Sequence, residues 1–128
     1  METTIHTTRR VIRTPEAQAK HDKYTLWRNS SHGVEVFTTL GEISIDWAEK
    51  SRRDNLSIRW SIDGAVEVLR YQARMHGRDI NGLKISNDWK PFLARELMDT
   101  YPELVGMFRL KAMQGVTELP EEETYEYN

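Results

Sequence analysis

Arg70 and Arg74 lie one helical turn apart, and Arg78 would continue the line on a helix that runs past Gly77. Lys84, Lys90 and Arg95 follow within a short stretch. Such a row of cations can clamp phosphates or an acidic partner surface, because each group brings fixed charge and several N–H donors. The simpler alternative is a solvated face whose charges are met locally. Glu67 would then pair with Arg70 or Arg74, Asp79 with Arg78, and Asp99 with Arg95. Trp27, flanked by Tyr24 and Arg28, lies outside the strong apolar stripes. It is the aromatic expected at the surface, where it would stack on a base or fill a partner's pocket.

Other chemistries lack parts. The chain has no cysteine, which removes disulfides, thiolate nucleophiles and cysteine-ligated zinc or iron–sulfur sites. His6, His21, His32 and His76 are dispersed, with no pair at metal-ligand spacing, so no metal site is expected. Asp88-Trp89-Lys90 fits half of a metal-dependent nuclease pattern, with Asp63 or Asp79 upstream. That match is short, and Asp88 stands where a helix start would use it as a cap. The glycines are isolated and none forms a phosphate-cradling loop, nor is there a Gly-x-Ser-x-Gly elbow. No set of residues supplies nucleophile, base and charge stabiliser together, so a non-enzymatic protein without cofactor is expected.

The elements that would position the cations are legible in part. Val36, Leu40, Ile43 and Trp47 fall at steps of four, three and four, predicting a helix from Val34 to about Arg53, with a break near Gly41 as an alternative. Ser61 is a good N-cap, and Ile62, Val66, Leu69 and Ala73 predict a helix over 62–76 that stops at Gly77. Leu83–Ser86 reads as a short strand. Asn87 would cap a third helix bearing Trp89, Leu93 and Leu97 and ending before Pro102. Met107–Met113 alternates as a half-exposed strand that would pair with 83–86. Trp47, Trp60 and Trp89 are assigned to the core.

Length and charge bound the rest. The 128 residues make one domain's worth of chain, and no run approaches the ~20 apolar residues of a membrane span. Residues 1–23 have scattered apolar positions and no signal-like apolar block, and read as a flexible arm. The net charge of −2 conceals an asymmetry. Residues 1–111 hold all 18 Lys and Arg with 15 Asp and Glu, whereas the remainder holds five Glu and no cation. Residues 113–128 therefore read as an acidic, disordered tail. The expected organisation is an arm over 1–23, a single globular domain over 24–112 and that tail. The expected fold is mainly α with a small β component, a compact three-helix body with a short two-stranded sheet.

From Leu69 to Lys111 the chain resembles a small uncharacterised family of phage genomes and bacterial chromosomes. Leu69-Arg70-Tyr71 stands for its Leu-Arg-Trp, and Leu83-Lys84-Ile85-Ser86-Asn87 for its Lys-Ile-Asn-Asn region. Leu93-Ala94-Arg95 stands for its Tyr-Ala-Arg, and Pro102–Phe108 for its Pro-Glu-Leu-x-Gly-Phe-Phe turn. The resemblance, extending roughly over 34–111, implies an accessory protein of phage or mobile-element type and brings no catalytic residues. Two roles are expected. One is a cytoplasmic protein contacting nucleic acid through Arg70, Arg74, Arg78, Lys84, Lys90, Arg95 and Trp27, singly or as a homodimer. The other is a protein-interaction module that inhibits or modulates a host enzyme or defence complex.

Overall fold

A computed structural model describes residues 3–78, 84–110, 113 and 115–127. Its chain order is β1 (Thr3–Arg13), α1 (Pro15–Arg28), α2 (Ser31–Arg53), α3 (Ile62–Met75), α4 (Lys90–Thr100), a 3-10 turn (Pro102–Leu104) and β2 (Val116–Tyr127). The fold is mainly helical with a two-stranded antiparallel sheet. Contacts divide the chain into two units, Met1–Ala19 with Ala112–Asn128, and Lys20–Lys111.

The first unit holds the sheet, and it is not the sheet that the alternation suggested. Leu83, Lys111 and Ala112 of the two predicted strands lie outside the described residues; among those described, Lys84–Ser86 has no strand and Phe108 makes an isolated parallel bridge with Trp60. The strands come instead from the segments read as arm and tail. β1 pairs antiparallel with β2, from Thr3 opposite Tyr127 to Arg13 opposite Val116. The register slips between Thr8, opposite Glu122, and Arg10, opposite Leu119. Pro120 and Glu121 thus share the space facing Arg9. A bulge is where proline, lacking an N–H, is tolerated in a strand. Thr, Ile and Val favour β1, but their spacing gives no apolar face, which is why periodicity does not reveal it. The Thr14 amide closes the ribbon on the Gly115 carbonyl at 2.8 Å.

α1 is a second departure from the sequence reading, which places residues 1–23 in a flexible arm and predicts no helix before Val34. Pro15 suits a first turn, and the Thr14 hydroxyl accepts from the Ala17 amide at 3.3 Å. Ala17, His21, Tyr24 and Arg28 fall at steps of four, three and four. That is a helical stripe in which two members are polar, so an apolar pattern does not report it.

The second unit packs α2 against α3 and α4, with the 3-10 turn closing the core. Ser30 caps α2 by accepting from the Gly33 amide at 3.1 Å. α2 is unbroken, and the buried Gly41 lies where a Cβ would meet the Tyr101 ring at 2.5 Å. Its core face is Val36, Phe37, Leu40, Gly41, Ser44, Ala48 and Ser51. This stripe is rotated from the expected one toward small residues, which let neighbouring elements come close. Trp47 is left 41% exposed and Trp60 and Trp89 half-buried, so none of the three is a fully buried core residue.

α3 matches its prediction: Ser61 caps it, Ala65, Val66, Leu69 and Ala73 are buried, and Gly77 follows its end at φ +68°. α4 buries Phe92, Leu93, Ala94 and Leu97. Leu104, Met107 and Phe108 then complete the core around a left-handed Gly106. No helix among the described residues is long and apolar enough to cross a membrane.

Candidate functional site

The predicted cations separate into groups within the second unit. Arg70 from α3, Lys84 from the irregular segment and Lys90 from the start of α4 line one cleft of about 580 Å³, with Ile85, Ser86, Asn87 and Trp89. Arg74, one turn further along α3, is exposed and forms no ion pair among the described residues, but it does not line the cleft. Arg78 does not continue that row. The helix has ended, and its guanidinium donates to Glu35 of α2 at 2.6 Å. Arg95 donates to the Pro91 carbonyl at 3.2 Å, within α4. Of the six proposed cations, three converge.

Residues 84–87, ahead of α4, form one wall of the cleft. Ile85 is buried and anchors the segment. The Ser86 carbonyl accepts from the Trp89 amide at 3.0 Å, and its hydroxyl from the Asp88 amide at 3.2 Å. α4 then begins with Trp89 as its N-cap, without a side-chain cap and with Pro91 in the first turn. Asn87 was expected in the capping role. It lies ahead of the helix, exposed on the cleft wall. Asp88 does not cap either, and faces Lys20 at 3.8 Å.

Two of the cleft cations carry carboxylate partners. Arg70 Nη1 meets Glu67 Oε1 at 2.6 Å, the local pair the sequence suggested. Lys90 Nζ meets Asp63 Oδ1 at 2.6 Å, tying the start of α4 to that of α3. Both carboxylates are well exposed, at 68% and 70%, so water screens these pairs and an incoming anion can compete for the cations. Lys84 is exposed and forms no ion pair among the described residues. Arg70, Lys84, Lys90 and Asn87 thus line one concavity beside the start of α4.

Trp27 is half-buried rather than free at the surface. Its ring stacks on Trp89 with centroids 4.8 Å apart and planes at 23°. Behind it lies a polar network the sequence does not reveal. The buried Tyr24 hydroxyl donates to Glu96 Oε1 at 2.8 Å, and Arg28 Nε donates to Glu96 Oε2 at 2.6 Å. The Arg28 guanidinium also lies 3.6 Å from the centre of the Phe37 ring. Burial, then the Glu96 carboxylate, pushes the Tyr24 phenol well above its usual range. This network fixes the end of α1 to α4 and so fixes Trp27 under Trp89. Tyr24 and Glu96 are 72 residues apart, and no spacing signal joins them.

Among the described residues, no group of three or more His, Asp or Glu is placed to hold a metal. No family model matches the chain, and no curated protein or solved structure is significantly similar to it.

Proposed function

We propose that this chain is a non-enzymatic binding protein that grips the phosphates of nucleic acid at the α3–α4 cleft. It would be an accessory protein of the phage or mobile-element type its motifs resemble. The observation that carries the reading is the convergence of Arg70, Lys84 and Lys90 on one concave surface beside an aromatic ring. Three cations with phosphates in reach release counterions on binding. The reading narrows the site from the six cations in the sequence to these three. Arg78 and Arg95 are engaged elsewhere in the fold.

Binding of a labelled oligonucleotide should weaken with salt, with a log–log slope of about −2 for three cations on a single strand. Lys84→Glu should lose affinity and flatten the slope, whereas Arg78→Glu should change little. No binding at low salt, or equal effects of the two substitutions, would reject the cleft.

A second reading rests on the Trp47–Trp60 stack, with centroids 4.7 Å apart and Trp47 41% exposed. A half-exposed tryptophan is a common anchor at protein interfaces. In this reading the protein modulates a host enzyme or defence complex. Retention of one host protein after nuclease treatment, lost in Trp47→Ala and kept in Lys84→Glu, would favour it.

A further inference from the structure

We infer that the α3–α4 cleft takes a splayed nucleotide of single-stranded nucleic acid, with its base on the Trp89 ring. The inference rests on the proposed function and specifies its ligand. Three features carry it.

The first is size. The cleft is open to solvent and holds about 580 Å³. A concavity of that scale admits one nucleotide. A duplex presents its phosphates on a convex cylinder and keeps its bases stacked inside.

The second is the chemical mixture of the walls. Arg70, Lys84 and Lys90 suit a phosphate, while Trp89 on the same cleft offers an aromatic surface that phosphate alone does not need. Asn87 adds an amide that can donate to a phosphate or sugar oxygen, a contact that carries no base preference. Because Trp89 supplies the N-cap position through its backbone, the exposed Asn87 side chain is not spent on capping.

The third is rigidity. One face of the Trp89 ring is backed by Trp27 at 4.8 Å. Trp27 is held in turn by α1, whose end is fixed through Tyr24 and Arg28 to Glu96 of α4. A platform ordered before binding loses little freedom when a base lands on it. Base–aromatic stacking is largely indifferent to base identity, so the site would grip single strands with little sequence preference.

The test compares four probes on the full chain by fluorescence anisotropy at low salt: an oligothymidylate, an abasic strand of equal length, a duplex of equal length, and free thymidine monophosphate as competitor. The oligothymidylate should bind about tenfold more tightly than the abasic strand. It should also bind more tightly than the duplex, and the monophosphate should compete only at much higher concentration. Trp89→Ala should abolish the difference between thymidylate and abasic strands, and Trp89→Phe should keep most of it. Equal binding of thymidylate and abasic strands, or of single strand and duplex, would overturn the inference while leaving the phosphate cleft standing. Competition by the monophosphate at equal concentration would replace the strand with a free nucleotide. Failure of every probe to bind would remove both the inference and the function it rests on.

Discussion

Glu96 joins two polar interactions across the α1–α4 junction. It accepts from a buried phenol and from a guanidinium that is itself lodged against Phe37. Glu96→Ala should therefore destabilise the protein by about 3 kcal/mol in urea unfolding, because it strands two partners at once. Tyr24 adds a pH signature. Its folded pKa is raised by burial above the ordinary value of about 10, so the folded state holds its proton after the unfolded chain has released it. The associated stability is complete below about pH 10 and falls as pH rises further. Tyr24→Phe should lose about 1.5–3 kcal/mol at neutral pH. It should also lose the part of the alkaline decline that is due to Tyr24. Thermal unfolding followed from pH 8 upward would separate the two effects.

Helix junctions depend on glycines for a steric reason. At Gly33, in the first turn of α2, a Cβ would meet the Trp27 carbonyl oxygen at 1.9 Å. That oxygen belongs to the backbone and cannot move aside. Gly33→Ala should cost about 3 kcal/mol or more and disturb the α1–α2 corner, whereas Gly41→Ala, against the Tyr101 ring, should cost about 1–3 kcal/mol. Urea midpoints for both variants would check the order. The same elements show where sequence pattern succeeds. α3 has a cap, four apolar positions in step and a glycine stop, all local, and all visible in the order of residues. α1 is hidden because Tyr24 is buried beside the polar His21 and Arg28 on one stripe. The cleft is half legible. Its cations stand out as residue types, but their convergence depends on how α4 packs beside α3, as the 27-residue separation of Asp63 and Lys90 illustrates. Arg78 shows the opposite failure, since a regular spacing continued past the end of its helix.

At the level of the whole molecule, charge is divided by chain position: every Lys and Arg lies within residues 1–111, and five Glu follow with no cation. β2 places those carboxylate-bearing positions along one strand opposite β1, which carries Arg9, Arg10 and Arg13. Replacing Glu118, Glu121, Glu122, Glu123 and Glu126 by Gln removes that negative charge without shortening the strand. Oligonucleotide affinity should then rise severalfold at low salt and converge on the unmodified protein at high salt, because the repulsion being relieved is screened. An unchanged low-salt affinity would mean that the acidic strand has no influence on the cationic residues. The tryptophans carry a further consequence. All four are sorted into two stacked indole pairs, Trp27 with Trp89 and Trp47 with Trp60. Indoles this close share their electronic excitation, so each couple should give paired bands of opposite sign in ultraviolet circular dichroism. Trp27→Phe would silence one couple and Trp47→Phe the other, turning the native chain into its own two-channel optical gauge, with one channel beside the cleft.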